Sequence, residues 1–220
     1  MDNTIEALYD SYLNIATGSE TGDETKEGAD DNIYEATSYF FLERLFQAFP
    51  FEEGDHLADF GCGKGRVLFM ASNHSCRRVT GYENNDARFE ILKANVARYQ
   101  QKHGAQTVFN IQKIDAQSAE IDDSVNKFFF FEPFSIDIYA RVIQNIKKSL
   151  DRRKRDATIF LYLPEESTLE YWDSVGGFHR EIYVESTLYY TNEALVTMPQ
   201  FAFYANYPMS DAADPYFLLY

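Results

Sequence analysis

The chain has 220 residues, 45% hydrophobic and 16% aromatic, which suits one domain with a sizeable core. Its formal net charge of −15 argues against nucleic acid as a partner, since a polyanion is usually met by a basic face. No apolar run is long enough to span a bilayer, no signal-peptide pattern opens the chain, and two cysteines, Cys62 and Cys76, make no disulfide framework; a cytoplasmic protein away from the membrane is expected.

Residues 1–16 place Ile5, Leu8, Tyr9, Tyr12, Leu13 and Ile15 at the spacing of a short amphipathic helix, one that docks on the core or forms part of a lid. Residues 17–32 are polar and acidic with no period and read as a flexible linker. Residues 1–32 are therefore expected as a helix and acidic linker, and residues 33–220 as the folded domain. In the next helix Phe41, Leu42, Leu45, Phe46 and Phe49 define one face, Thr37 or Ser38 supplies an N-cap, and Pro50 closes the element.

A buried strand follows from His56 and runs into Asp59-Phe60-Gly61-Cys62-Gly63-Lys64-Gly65, then an apolar helix. Glycines at 61, 63 and 65 remove Cβ atoms where a strand turns sharply into a helix, so a ligand can approach backbone N–H groups at the helix N-terminus. The next strand ends at Glu83, 24 positions after Asp59 and placed to accept hydrogen bonds from ribose hydroxyls. A dinucleotide fingerprint wants glycine at position 66, where this chain has Arg66. A carboxylate at Asp59 suits an amino-acid ammonium group better than a pyrophosphate. Cys62 reads as a small filler in the turn, and no His/Cys cluster has metal-ligand spacing, so no metal is expected.

Residues 85–103 carry a helical stripe at Phe89, Leu92, Val96 and Tyr99, capped by Asn84 or Asn85. A strand over 108–114 ends in Asp115-Ala116-Gln117, with Asp115 either a ligand contact or an ordinary strand-end cap. Phe128 to Phe131 form a strand buried on both faces, as at the centre of a parallel sheet, followed by Glu132-Pro133-Phe134. Residues 136–150 are a helix whose end, with Lys147, Lys148, Arg152, Arg153, Lys154 and Arg155, reads as a solvated basic terminus. A fifth buried strand over 158–163 stops at Pro164, a short helix lies near Leu169 and Trp172, and two strands over 179–185 and 201–207 end the pattern before an aromatic tail.

The run from Asp59 to Gly65 resembles the glycine motif D/E-x-G-x-G-x-G of class I S-adenosylmethionine (SAM)-dependent methyltransferases, and the similarity extends over roughly residues 33–207. The resemblance implies an α/β fold: a Rossmann-like, mainly parallel seven-stranded sheet with a C-terminal antiparallel hairpin and helices on both faces. It implies SAM as cofactor and S-adenosylhomocysteine as product. Asp59, Gly61, Cys62, Gly63 and Gly65 would hold the methionine moiety, Glu83 the ribose, and Asp115 and Ala116 the adenine, with Asn84 a further cofactor contact.

Tyr34-Glu35-Ala36-Thr37-Ser38-Tyr39 resembles a loop of the non-SET histone lysine methyltransferases that contacts the methionine end of SAM, which implies Tyr34 and Thr37 as cofactor contacts. Glu132-Pro133-Phe134 stands in the place of the family's (N/D)-P-P-(Y/F) motif, with Glu132 for Asn or Asp and the second proline missing. It implies that Glu132 and Phe134 position the acceptor, with Glu132 also near the cofactor. The acceptor is expected to be a small molecule or a protein side chain, an amine among them. The alternatives are a non-catalytic SAM- or nucleotide-binding protein, or an NAD-dependent oxidoreductase on a similar sheet.

Overall fold

The computed structural model describes residues 5–18, 34–131, 135–190 and 195–206. In chain order the elements are α1 (Ile5–Leu13), α2 (Tyr39–Ala48), β1 (His56–Phe60), α3 (Arg66–Asn73), β2 (Arg78–Glu83), α4 (Asp86–His103), β3 (Val108–Lys113), a 3₁₀ turn (Ala116–Ser118), β4 (Lys127–Phe131), α5 (Ile136–Arg152), β5 (Thr158–Tyr162), α6 (Glu166–Ser174), β6 (His179–Tyr190) and β7 (Leu195–Ala205). The strands form one sheet in the order β3-β2-β1-β4-β5-β7-β6. Strands β1 to β5 pair in parallel, and β7 runs antiparallel to both β5 and β6. This is the expected sheet with its terminal hairpin. The hairpin strands are 12 and 11 residues, longer than predicted, because pairing runs on from Glu185↔Pro199 to Tyr190↔Leu195.

Both faces of the sheet are covered, which is why the central strands are mostly apolar. On one face Leu57, Val79, Phe129 and Phe160 pack with Leu42, Leu45 and Phe46 of α2, Leu68 and Phe69 of α3, and Leu92 of α4. On the other, Ala58, Phe60, Phe128, Phe130, Ile159 and Leu161 pack with Val142, Ile143 and Ile146 of α5 and with Trp172 of α6. The phenylalanine run thus splits by the period-2 rule, and Phe60 and Phe130 stack at 4.9 Å with their planes 4° apart.

The polar stretch after α1 begins later than composition suggests. Thr17, expected in the linker, is fully buried, and the chain reaches it through Asn14 in a left-handed conformation at φ 58°. Ser38 sits at the N-cap of α2, but its hydroxyl donates to the Glu6 carboxylate (3.2 Å) instead of capping the helix.

Parallel strand order reverses between β1 and its neighbours β2 and β4. In open α/β sheets the crevice beyond the carboxyl ends at such a point is where ligands bind. The segment from Asp59 to Gly65 leaves β1 there.

Candidate functional site at the carboxyl edge

The turn between β1 and α3 uses its glycines as the sequence predicts. Gly61, Gly63 and Gly65 all have positive φ (74°, 54° and 92°), a region that costs L-residues. The Gly61 and Cys62 amides both donate to the Tyr82 carbonyl (2.9 and 3.0 Å), and the Gly65 amide donates to the Cys62 carbonyl (2.8 Å). The turn is therefore a fixed scaffold. Cys62 fills the space over Gly81, where a Cβ would lie 2.7 Å from its sulfur. Burial and the nearby Asp59 and Glu83 carboxylates push the Cys62 thiol well above its usual range, so it is filler and not a nucleophile.

Two carboxylates meet behind this turn. Glu83 is 4% exposed; one oxygen accepts the Gly63 amide (2.8 Å) and the other accepts the Asn85 amide (2.8 Å). Asp59 is also 4% exposed, and no described residue donates a hydrogen bond to its side chain. Burial first, and repulsion from Glu83 second, push the Asp59 carboxyl up to about 8. A buried acid beside a second acid is costly, and a cation brought near them relieves both. A cationic group of a ligand would be favoured at this edge.

Tyr34 roofs the turn. Its ring packs so closely on Gly63 that a Cβ there would come within 2.4 Å of a ring carbon. Its hydroxyl donates to the Thr17 carbonyl (2.8 Å) and accepts the Lys64 amide, and burial drives its pKa far up against the opposing pull of Arg66. Thr37 is buried and contributes through its backbone: its carbonyl accepts from Arg66 (3.0 Å). At the third strand, Asp115 acts as a cap in this structure. Its two oxygens accept the Gln117 amide (3.0 Å) and side-chain amide (2.6 Å), and Ala116 is buried beside it. Asn84 is exposed at the rim, and Asn85 caps α4 by accepting the Arg88 amide (2.9 Å). Glu132 and Phe134 lie outside the described residues; Phe131, just before them, pairs with Tyr162 at the end of β5.

Sequence reasoning missed three residues that assemble this edge. Arg66 served only to exclude a dinucleotide motif, yet it is 5% exposed and bonds to α1 and to residues 17 and 37. Asn95, fully buried on α4, pairs with both backbone groups of Ala16 (2.9 and 3.0 Å) and donates to the Lys64 carbonyl (2.9 Å). Lys64 is 1% exposed and donates to the Gly18 carbonyl (2.9 Å). The available signal was a polar residue, Asn95, inside the apolar stripe of α4.

The basic cluster after α5 is used locally, as expected. Arg152 pairs with Asp123, Lys154 with Asp151, and Arg155 donates to the Val125 carbonyl (2.6 Å) and the Ser149 hydroxyl (2.8 Å). It sits before β5, at the amino edge of the sheet, away from the glycine turn. No helix among the described residues is long and apolar enough to cross a membrane.

No protein-family model and no curated protein matches the chain. Solved structures do match, at the level of fold. A proposed RNA methyltransferase from Pyrococcus horikoshii is 13% identical, with 78% of this chain and 81% of that one covered at a TM-score of 0.51. The StiE O-methyltransferase segment is 14% identical, with 80% and 77% covered at 0.53. A proposed tRNA (m1A22) methyltransferase from Streptococcus pneumoniae is 12% identical, with 80% and 72% covered at 0.52. The chain has the class I methyltransferase fold, a Rossmann-like sheet of seven strands.

Proposed function

We propose that the protein is a SAM-dependent methyltransferase that yields S-adenosylhomocysteine and a methylated acceptor, a small molecule or a protein side chain. The observation that carries this reading is the pair of buried acids, Asp59 and Glu83, beside a glycine turn at the carboxyl end of β1. Asp59, with Gly61, Cys62, Gly63, Gly65, Tyr34 and Thr37 around it, would hold the amino-acid end. Glu83, beside Asn84, would take the ribose, and Asp115 and Ala116 the adenine. SAM supplies a methyl group already activated on a sulfonium. The chain's own task is then to bind, to align the acceptor and to exclude water. Tyr34 and the segment around Thr17 cover the turn and support the last of these. Glu132 and Phe134 follow β4 directly and are the residues proposed to position the acceptor, with Glu132 also near the cofactor.

Charge placement bears on the acceptor class. Exposed Glu35, Glu165 and Glu166 lie on the segments around the carboxyl ends of the strands, where Glu6 is paired with Arg66 and Arg88 lies over the Tyr34 ring, whereas Arg78, Lys127 and the basic cluster after α5 stand at the amino edge. Burial of Tyr162 is compounded by the negative charge of Glu35 and Glu6, which drives its pKa up. An acidic rim of this kind favours an amine or another cationic group over a polyanion. Two of the similar folds are described as RNA enzymes, so RNA is the acceptor against which this reading is set. We place the activity in the cytoplasm.

The test is a calorimetric titration of the full chain with S-adenosylhomocysteine, and with NADH as control. Micromolar binding of the first and none of the second is expected. Binding of NADH alone would move the protein to the oxidoreductases. Transfer of labelled methyl from SAM to RNA, with none to amines, would overturn the acceptor class.

A further inference from the structure

Arg66 is the first residue of α3, directly after the glycine turn. Its guanidinium lies 4.2 Å above the Tyr39 ring. Nε donates to the Thr17 hydroxyl (2.8 Å), one terminal nitrogen donates to the Thr37 carbonyl (3.0 Å), and the same nitrogen pairs with the Glu6 carboxylate. One buried cation thus joins α1, the segment after it and the segment before α2. Thr17 is the relay. Its hydroxyl donates to Asp10 (2.6 Å), its amide donates to the same carboxylate (2.7 Å), and its carbonyl accepts the Tyr34 hydroxyl (2.8 Å).

Packing alone does not account for this arrangement. A buried ion pair is commonly no more stabilising than apolar residues of the same volume, so a methionine opposite a leucine would fill the space as well. What the planar guanidinium adds is direction, because it fixes several oxygens in one plane and cannot lose its charge. The elements it fastens need fastening. At nine residues α1 is too short to persist alone, and Ile5, Leu8 and Tyr12 on it are 56–61% exposed.

We propose that Arg66 is a positioning residue. It holds Thr17, and through Thr17 the Tyr34 ring, over the glycine turn, so that residues 5–18 belong to the cofactor site although none of them stands in its motif. This rests on the reading of the turn as the SAM site. It predicts that Arg66 and Tyr34 act on ligand affinity as one unit.

A double-mutant cycle on S-adenosylhomocysteine affinity tests it. Arg66→Met and Tyr34→Phe should each weaken binding about tenfold, the scale of one lost charge-assisted hydrogen bond. The double variant should be no weaker than the weaker single one. Arg66→Lys should behave like Arg66→Met, since an ammonium cannot reproduce the fork. Losses that multiply, or wild-type affinity in Arg66→Met, would overturn the proposal. A second measurement needs no ligand. In Arg66→Met the Thr17 and Gly18 amides, both donated to Asp10, should lose protection from hydrogen exchange while those of β1 and β4 keep it. Unchanged protection would also overturn the role of Arg66. Failure of the unaltered chain to bind S-adenosylhomocysteine would instead strike the cofactor reading and leave the exchange result to decide Arg66.

Discussion

Asp59→Asn is the perturbation with the most to say about this site. In the folded chain the Asp59 carboxyl titrates near 8 instead of 3.8, driven by burial and by Glu83. The folded state then binds the proton more tightly than the unfolded state at every pH between those values. Stability linked to this group is full below about pH 4 and declines as pH rises towards 8. At about 1.4 kcal/mol per unit, the interval from 3.8 to pH 7 sets an upper bound of about 4 kcal/mol of destabilisation at neutral pH. Asn is nearly isosteric and does not ionise, so the variant should escape this loss. Denaturant melts of both chains at pH 5 and pH 8 read it directly: Asp59→Asn should gain on the wild type by one or more kcal/mol between the two. The same proton reports the ligand. If an ammonium group docks beside Asp59, the acid ionises and about nine-tenths of a proton leaves at pH 7 for a pKa near 8. Titrations with S-adenosylhomocysteine in phosphate and in Tris, whose ionisation enthalpies differ, count that proton. A stability difference flat with pH, together with binding heats equal in the two buffers, would refute the argument that Asp59 waits for a cation.

Two further substitutions probe the scaffold. Gly63→Ala places a Cβ 2.4 Å from Tyr34 at φ 54°; the left-handed backbone alone costs about 1–2 kcal/mol. The thermal midpoint should fall by several degrees and S-adenosylhomocysteine affinity should drop as the roof lifts; a variant with both intact would show that Tyr34 does not pack there. Asn95→Leu keeps the volume but removes the partner of the buried Lys64 carbonyl, at about 1–3 kcal/mol, and of both backbone groups of Ala16, an exposed residue that water can reach. A loss of about 2 kcal/mol in chemical denaturation is expected, and a loss under 1 kcal/mol would mean that water replaces the amide at Lys64 as well.

The sheet was legible because its signals are local and repeated. Phe128 to Phe131 can only be a strand covered on both sides, and the turn at Gly61 to Gly65 can only follow β1 and open α3. The expected order of elements follows from alternation of such strands with helical stripes. Boundaries were less legible where they depend on pairing: β6 and β7 extend each other past any period that either shows alone. Thr17 read as linker because its neighbours downstream are polar, and nothing within ten residues reveals that Arg66, 49 positions on, accounts for its burial.

The same distinction separates the parts of the site. Asp59, Glu83 and the glycines stand at the ends of consecutive strands, so the fold brings them together whatever else the chain does. Arg66, Asn95 and Thr17 converge only through the way α1 lies across α2 and α4, which no spacing rule contains. Their side chains are typical of exposed positions, and they are buried here because each finds its partners on another segment. That division has a consequence for the chemistry. Strand ends place the acids and the glycines, whereas residues 5–18 and Tyr34 lie over the turn. A chain with the motif intact but Arg66 altered should therefore keep its sheet and lose the cover of the turn. Loss of cofactor affinity without loss of the β1 and β4 exchange core is the outcome that would tell the two layers apart.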